Sequence, residues 1–145
     1  MIQRLQSVFL LLSALALGAL FFVPFANSDM ATSQFLADKV YDVKDHVVLS
    51  VLAGGGTLLS IIAIFLFNNR GTQLRLSIFA TIFSILLMVT AVLLFYNEAS
   101  NMAAEASVND QLGTYLPVVA LLFSGLAIHF IRKDEKLVKS MDRLR

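Results

Sequence analysis

Four stretches of this chain run for 18 to 21 residues without a single Asp, Glu, Lys or Arg: about 8–25, 47–67, 76–96 and 112–131. A helix rises about 1.5 Å per residue, so 20 residues cover the roughly 30 Å hydrocarbon core of a bilayer. Inside lipid the backbone must satisfy its own hydrogen bonds, and helix is the form that a single apolar run can take. The expectation is therefore all-α: a polytopic membrane protein with a four-transmembrane-helix bundle. It forms one domain over 1–145, with the tail 132–145 outside the spans. The first run has Arg4 in a short polar start and resembles a signal sequence. It is longer than the roughly 7–15-residue core of a cleaved signal, and Pro24-Phe25-Ala26 is a poor cleavage site, so a retained anchor is expected.

Composition agrees. Of 145 residues, 58% are hydrophobic and 14% charged, against roughly 25% charged in soluble domains. The absence of cysteine excludes disulfides, thiol catalysis and thiolate metal sites. A net charge of +1 gives no basic excess to attract nucleic acid. The blocks hold no intramembrane Asp pair, Ser-Lys or His-Glu set. No enzyme activity, cofactor or metal is expected.

Basic residues fix the expected orientation. Nine lie on one side, at Arg4, in the link carrying Arg70 and Arg75, and in the tail; Lys39 and Lys44 lie on the other. The positive-inside rule then places both termini in the cytoplasm, within a bacterial inner membrane. In the first outer segment, Leu36, Val40, Val43 and Val47 fall at helical spacing and predict a short amphipathic helix on the outer surface. The second, Ala-rich, reads as an extension of the third helix.

Candidate sites are few. Gly54-Gly55-Gly56 lies in the second block and forms small-xxx-small pairs with its neighbours, among them Gly56 and Ser60; Ala14 and Gly18 pair likewise in the first. Small residues let helices approach closely, so these positions read as packing faces. A hinge lining a substrate path is the sharper alternative. Ser77, Thr81 and Ser84 share a face of the third block and read as interhelical packing. His129 lies two residues before the basic boundary and reads as a solvated interface histidine; His46 reads similarly at the opposite face. The tail is the most pointed feature. Leu137, Val138, Met141 and Leu144 make an apolar stripe beside Lys133, Lys136, Lys139, Arg143 and Arg145. That pattern predicts a cytoplasmic amphipathic C-terminal helix docking on anionic lipid or on a partner. Arg70 and Arg75 lie on the same side.

Three stretches carry a resemblance. They are Met1-Ile2-Gln3-Arg4-Leu5-Gln6, the turn Ile64–Arg70 followed by Gln73-Leu74-Arg75, and Ile131–Val138 with Asp142-Arg143-Leu144-Arg145. Together they resemble an uncharacterised bacterial family of small four-span membrane proteins, domain of unknown function 4293. Gly71-Thr72 departs from the basic or apolar residue expected in the turn. The resemblance implies the four-span architecture and brings no activity, substrate or cofactor. All three stretches fall on the expected cytoplasmic face, which is where a site is to be sought.

The function expected from these features is a non-enzymatic scaffold or accessory subunit of a membrane complex, homo-oligomeric or joined to other subunits. The alternative is a small oligomeric transporter or channel with a path near Gly54–Gly56.

Overall fold

The computed structural model describes residues 3–28, 38–99 and 108–142. Four helices make up most of them: α1 (Gln3–Ala19), α2 (Val47–Phe65), α3 (Arg70–Ala99) and α4 (Leu116–Asp142). Three of these, α2, α3 and α4, are long and apolar enough to cross a membrane. Each helix packs on its sequence neighbours, and α1 closes the ring against α4, so α1 and α3 face each other across the diagonal. The register is antiparallel around the ring. Ser13 Oγ donates to the Ala120 carbonyl at 3.1 Å, and Thr81 Oγ1 donates to Ser124 Oγ at 3.0 Å.

Burial reveals a periodicity that the unbroken apolar blocks conceal. The buried positions of α3 are Gln73, Ser77, Ala80, Ser84, Leu87 and Ala91, spaced alternately by three and four. In α1 the steps are Gln6, Leu10, Ser13, Leu17 and Leu20; in α4, Ala120, Ser124, Ala127, Ile131 and Asp134. In α2 they are Leu49, Ala53, Gly56, Ser60 and Ala63. Alternating three-and-four spacing is the pattern that helices crossing at shallow angles, about 20°, present to one another. Most seam residues are small, while Leu11, Leu15, Leu58, Phe65, Val89 and Leu93 point outward. Small residues inside and large aliphatics outside is the arrangement of helices whose surroundings are as apolar as their own side chains. The seam hydroxyls of Ser60, Ser77 and Ser84 donate back to carbonyls four residues earlier in their own helices, at 2.9 to 3.0 Å, so none is left unsatisfied.

One end of the ring is closed by a small antiparallel sheet in the order β2-β1-β3, with β1 at Ala26–Ser28, β2 at Val40–Tyr41 and β3 at Val108–Asp110. Pro24 ends the turns that continue α1 to Val23. Phe25, Ala26, Tyr41 and Val43 then pack with Leu20, Leu49, Leu87 and Ala91. The Tyr41 hydroxyl donates to the Ala91 carbonyl at 3.0 Å and ties the sheet to α3. The expected amphipathic helix through Leu36, Val40, Val43 and Val47 is therefore corrected. Val40 pairs with Asn27 in the sheet, Val43 is buried and Val47 is exposed; Leu36 lies outside the described residues. A left-handed Lys39 (φ 66°) and a turn at Asp42–Asp45 interrupt any helix there. In that turn the Asp42 N–H donates to Asp45 Oδ2 at 2.6 Å. Burial pushes the Asp45 carboxyl above its usual range, and Asp42 and Asp38 add to the effect. His46 then caps α2, its Nδ1 accepting from the Val48 N–H at 3.2 Å.

The expected third block, 76–96, is the middle of a longer helix that starts at Arg70 and reaches Ala99. The expected tail is not separate from the fourth block: α4 is unbroken from Leu116 to Asp142.

Gly113, in the 3-10 turn Leu112–Thr114, is the tightest point of the cap. Its N–H donates to the Pro24 carbonyl at 3.0 Å, and an added Cβ would overlap that same main-chain carbonyl. Backbone cannot yield as a side-chain tip can. Gly113→Ala should lower the detergent melting stability by about 3 kcal/mol, read by thermal unfolding of the purified protein. Gly125→Ala is the control, with open space around its Cβ position.

Candidate functional site

At the end opposite the sheet the seams finish on polar side chains. The last apolar layer is Leu10, Ala63 and Ala127, flanked by Phe9, Ile64 and Leu76. One helical turn further, the seam positions are Gln6 on α1, Gln73 on α3 and Ile131 on α4, and Asp134 follows Ile131 by three residues. Gln6 and Gln73 are 0% exposed and Asp134 is 5% exposed. Both amide atoms of each glutamine, and Asp134 Oδ2, lack a hydrogen-bond partner. Arg70, one turn before Gln73, bridges α3 to α4: its Nη1 donates to the Asp134 main-chain carbonyl at 3.0 Å. An unpaired buried amide costs about 1–3 kcal/mol, and an unpaired carboxylate oxygen more. This polar layer is the chemical anomaly of the molecule. Gln6, Gln73 and Asp134 each lie in one of the three stretches that carry the family resemblance, two of them from opposite corners of the ring.

Sequence reasoning missed this layer because Gln6 and Gln73 lie just outside the charge-free blocks. The signal was available in the alternating three-and-four spacing that joins Gln6 to Leu10 and Ser13, and Gln73 to Ser77 and Ala80.

The glycines stand elsewhere. An added Cβ at Gly55 would come within 2.6 Å of the Phe83 ring, and one at Gly56 within 2.8 Å of Leu17 Cδ1. Gly54 faces Phe21, whose Cζ lies an ordinary 3.7 Å from a Cβ placed there. Gly18 meets Thr57 of α2 at 3.8 Å, Ala14 is buried and Ser60 is on the α2 seam. A cleft of about 420 Å³ runs along the outside of α1 and α2 past Leu11, Gly18, Phe22 and Ile61. A second, of about 210 Å³, lies beneath the sheet between Tyr41, Val92, Phe95 and Thr114.

Of the tail residues, Lys133 and Lys136 are exposed and Leu137 is 47% exposed. Arg75 is exposed and Arg70 half-buried. The side chains of Lys139 and Met141, and all of Arg143, Leu144 and Arg145, lie outside the described residues. His129 is exposed, edge-on to Phe130. Among the described residues no three His, Cys, Asp or Glu side chains form a metal-binding group.

The contrast among the glycines is testable. Gly55→Leu should destabilise the protein by about 1–3 kcal/mol through overpacking against Phe83. Gly54→Ala should be neutral or stabilise by up to about 1 kcal/mol through helix propensity. Thermal melts in one detergent check both.

No curated protein matches the chain, and no solved structure does. A family model matches residues 2–144, nearly the whole chain, and the family is described only as a domain of unknown function. The chain belongs to that family, DUF4293.

Proposed function

We propose that this is a non-enzymatic integral membrane protein of the bacterial inner membrane, a scaffold or accessory subunit that engages a cytoplasmic partner through the end of α4. All four helices cross the bilayer and both termini are cytoplasmic. α1 is the short one, about 26 Å by its 17 residues. Its antiparallel register with α4 and the turns that extend it to Val23 support a fourth span. The nine-to-two division of basic residues supports the orientation.

One observation carries the functional reading. Arg70, the first residue of α3, is level with Asp134, so α4 overshoots the ring by its last two turns. This stub is continuous with a membrane helix and projects along that helix's axis. A helix lying flat on lipid would need a break near Ile131, and α4 has none. The stub presents Leu137 beside Lys136, a face suited to a groove with an apolar floor and an acidic rim. Arg75, Arg132 and Lys133, lower down, are placed for anionic headgroups. For the transport alternative no comparable observation speaks: Phe21, Phe83 and Leu17 occupy the faces of Gly54, Gly55 and Gly56.

Replacing Leu137, Met141 and Leu144 together with Ser keeps every charge. Co-purification of a defined partner in mild detergent should be lost, while membrane insertion and melting temperature stay as in wild type. Equal partner recovery from this variant would refute docking by the stub.

A further inference from the structure

The cleft beneath the sheet has a polarity gradient that the scaffold role does not use. It holds about 210 Å³ between α3, the start of α4 and the underside of the sheet. Thr81 meets Ser124. Ala91 lies ten residues past Thr81 and Thr114 ten before Ser124, so these two are level; by the same count Met88 is level with Pro117. The cleft thus runs from Met88 and Pro117 outward to Tyr96 and Asp110, about 12 Å along α3 at 1.5 Å per residue. Its deep end is apolar, and Met88 and Val92 are exposed on the flank of the bundle. That flank opens to the apolar surroundings of the helices. The outer rim holds Tyr96 and the Asp110 carboxylate, both exposed. Between the two ends stands an aromatic wall. Tyr41 is its middle ring, with centroids 5.4 Å from Phe25 and 6.0 Å from Phe95.

We propose that this cleft binds an amphiphilic organic cation. Its ammonium head, free of phosphate, lies between Asp110 and the aromatic wall, and a single apolar chain passes Val92 and Met88 into the bilayer. The lining side chains favour such a head because they accept more than they donate. The Tyr41 hydroxyl already gives its proton to the Ala91 carbonyl, and Thr114 Oγ1 gives its own to the Phe25 carbonyl. What these leave for a ligand is lone pairs, ring faces and one carboxylate. Ring faces carry the negative side of the aromatic quadrupole and hold ammonium groups, quaternary ones above all. The protein places no cation of its own there. Lys39 and Lys44 are the only Lys or Arg in the segments that build this end, 20–46 and 97–115. Lys39 precedes β2 and Lys44 follows it, and β1 separates β2 from β3, which carries Asp110. A phospholipid headgroup would bring its phosphate close to Asp110, and like charges repel. Drug-sized ligands fill about 300–1,000 Å³, so this cleft takes one end of the molecule and leaves the rest in lipid. The inference is independent of what the α4 stub binds.

The test titrates the full-length protein, in an uncharged detergent, with hexyltrimethylammonium, and reads the heat of binding against protein-free micelles. Tyr41 and Tyr96, two of the three tyrosines in a chain without tryptophan, line the cleft, so tyrosine emission gives a second, local signal. Saturable binding of one cation per chain is expected. Hexanol, with the chain and no charge, and hexylphosphocholine, with an added phosphate, should each bind about tenfold more weakly. Asp110→Asn and Tyr96→Ala change exposed rim side chains, so both should fold, and each should weaken the cation by about tenfold. Val92→Phe fills the cleft from its exposed flank and should abolish binding. Asp38→Asn, an exposed acid beside the opposite edge strand, should leave it unchanged. Absence of saturable binding by wild type would overturn the proposal. So would hexanol binding as tightly as the cation, which would leave an apolar cavity indifferent to charge, or hexylphosphocholine doing so, which would make it a phospholipid site. Undiminished affinity in Asp110→Asn, or an equal loss in Asp38→Asn, would overturn it by assigning the attraction to the surface as a whole.

Discussion

Close approach of helices through small seam residues is the constraint on which this structure depends. In water a bundle is driven together by removing large apolar side chains from solvent. Here many large side chains, among them Leu15, Phe65 and Leu93, are on the outside, and in an apolar solvent such as a bilayer that force is absent between the helices. What remains is van der Waals contact and hydrogen bonding, and both need backbones close together. Ala53, Gly56, Ser60 and Ala63 on α2, with Ser77, Ala80 and Ser84 on α3, provide that closeness. Phe83 and Leu17 fill the room left by Gly55 and Gly56. The triple glycine is thus a socket for side chains of neighbouring helices.

The two poles of the ring are built by opposite means. At one, a three-stranded sheet gathers the segments that follow α1 and precede α2 and α4. It satisfies their backbone groups, with Phe25, Tyr41 and Val43 as its apolar underside. Gly113 locks it because two stretches of main chain touch there. At the other pole no sheet intervenes. The seams run out into Gln6, Gln73 and Asp134, Arg70 ties α3 to α4, and α4 continues alone. The first pole is closed by paired backbone, and the second ends on buried polar side chains.

Much of the architecture was legible in the sequence because charge exclusion over 18 to 21 residues has few physical solutions. The sheet was not. Its strands are two or three residues long, and Val40 and Val43 carry a chance helical spacing that backbone pairing with Asn27 overrides. The polar layer was half legible. The resemblance drew attention to the stretches holding Gln6, Gln73 and Asp134. Burial could not be inferred for polar residues beyond the apolar blocks until the three-and-four seam was visible in three dimensions. The tail's helical character was readable from its stripe, whereas its continuity with α4 depends on there being no break at Ile131-Arg132, which a basic boundary alone does not report.

The orientation of the ring underlies every role assigned to its two poles, and the cysteine-free chain allows it to be read residue by residue. Single cysteines at Asp38 and Asp110, beside the sheet, and at Gly71 and Ser140, at the polar end, all replace exposed residues. Each variant is treated in intact spheroplasts with a membrane-impermeant maleimide, before and after lysis. Labelling of Asp38→Cys and Asp110→Cys in intact spheroplasts, with Gly71→Cys and Ser140→Cys labelled only after lysis, is the predicted result. Labelling of Ser140→Cys in intact spheroplasts would contradict the orientation and the cytoplasmic role of the α4 stub with it.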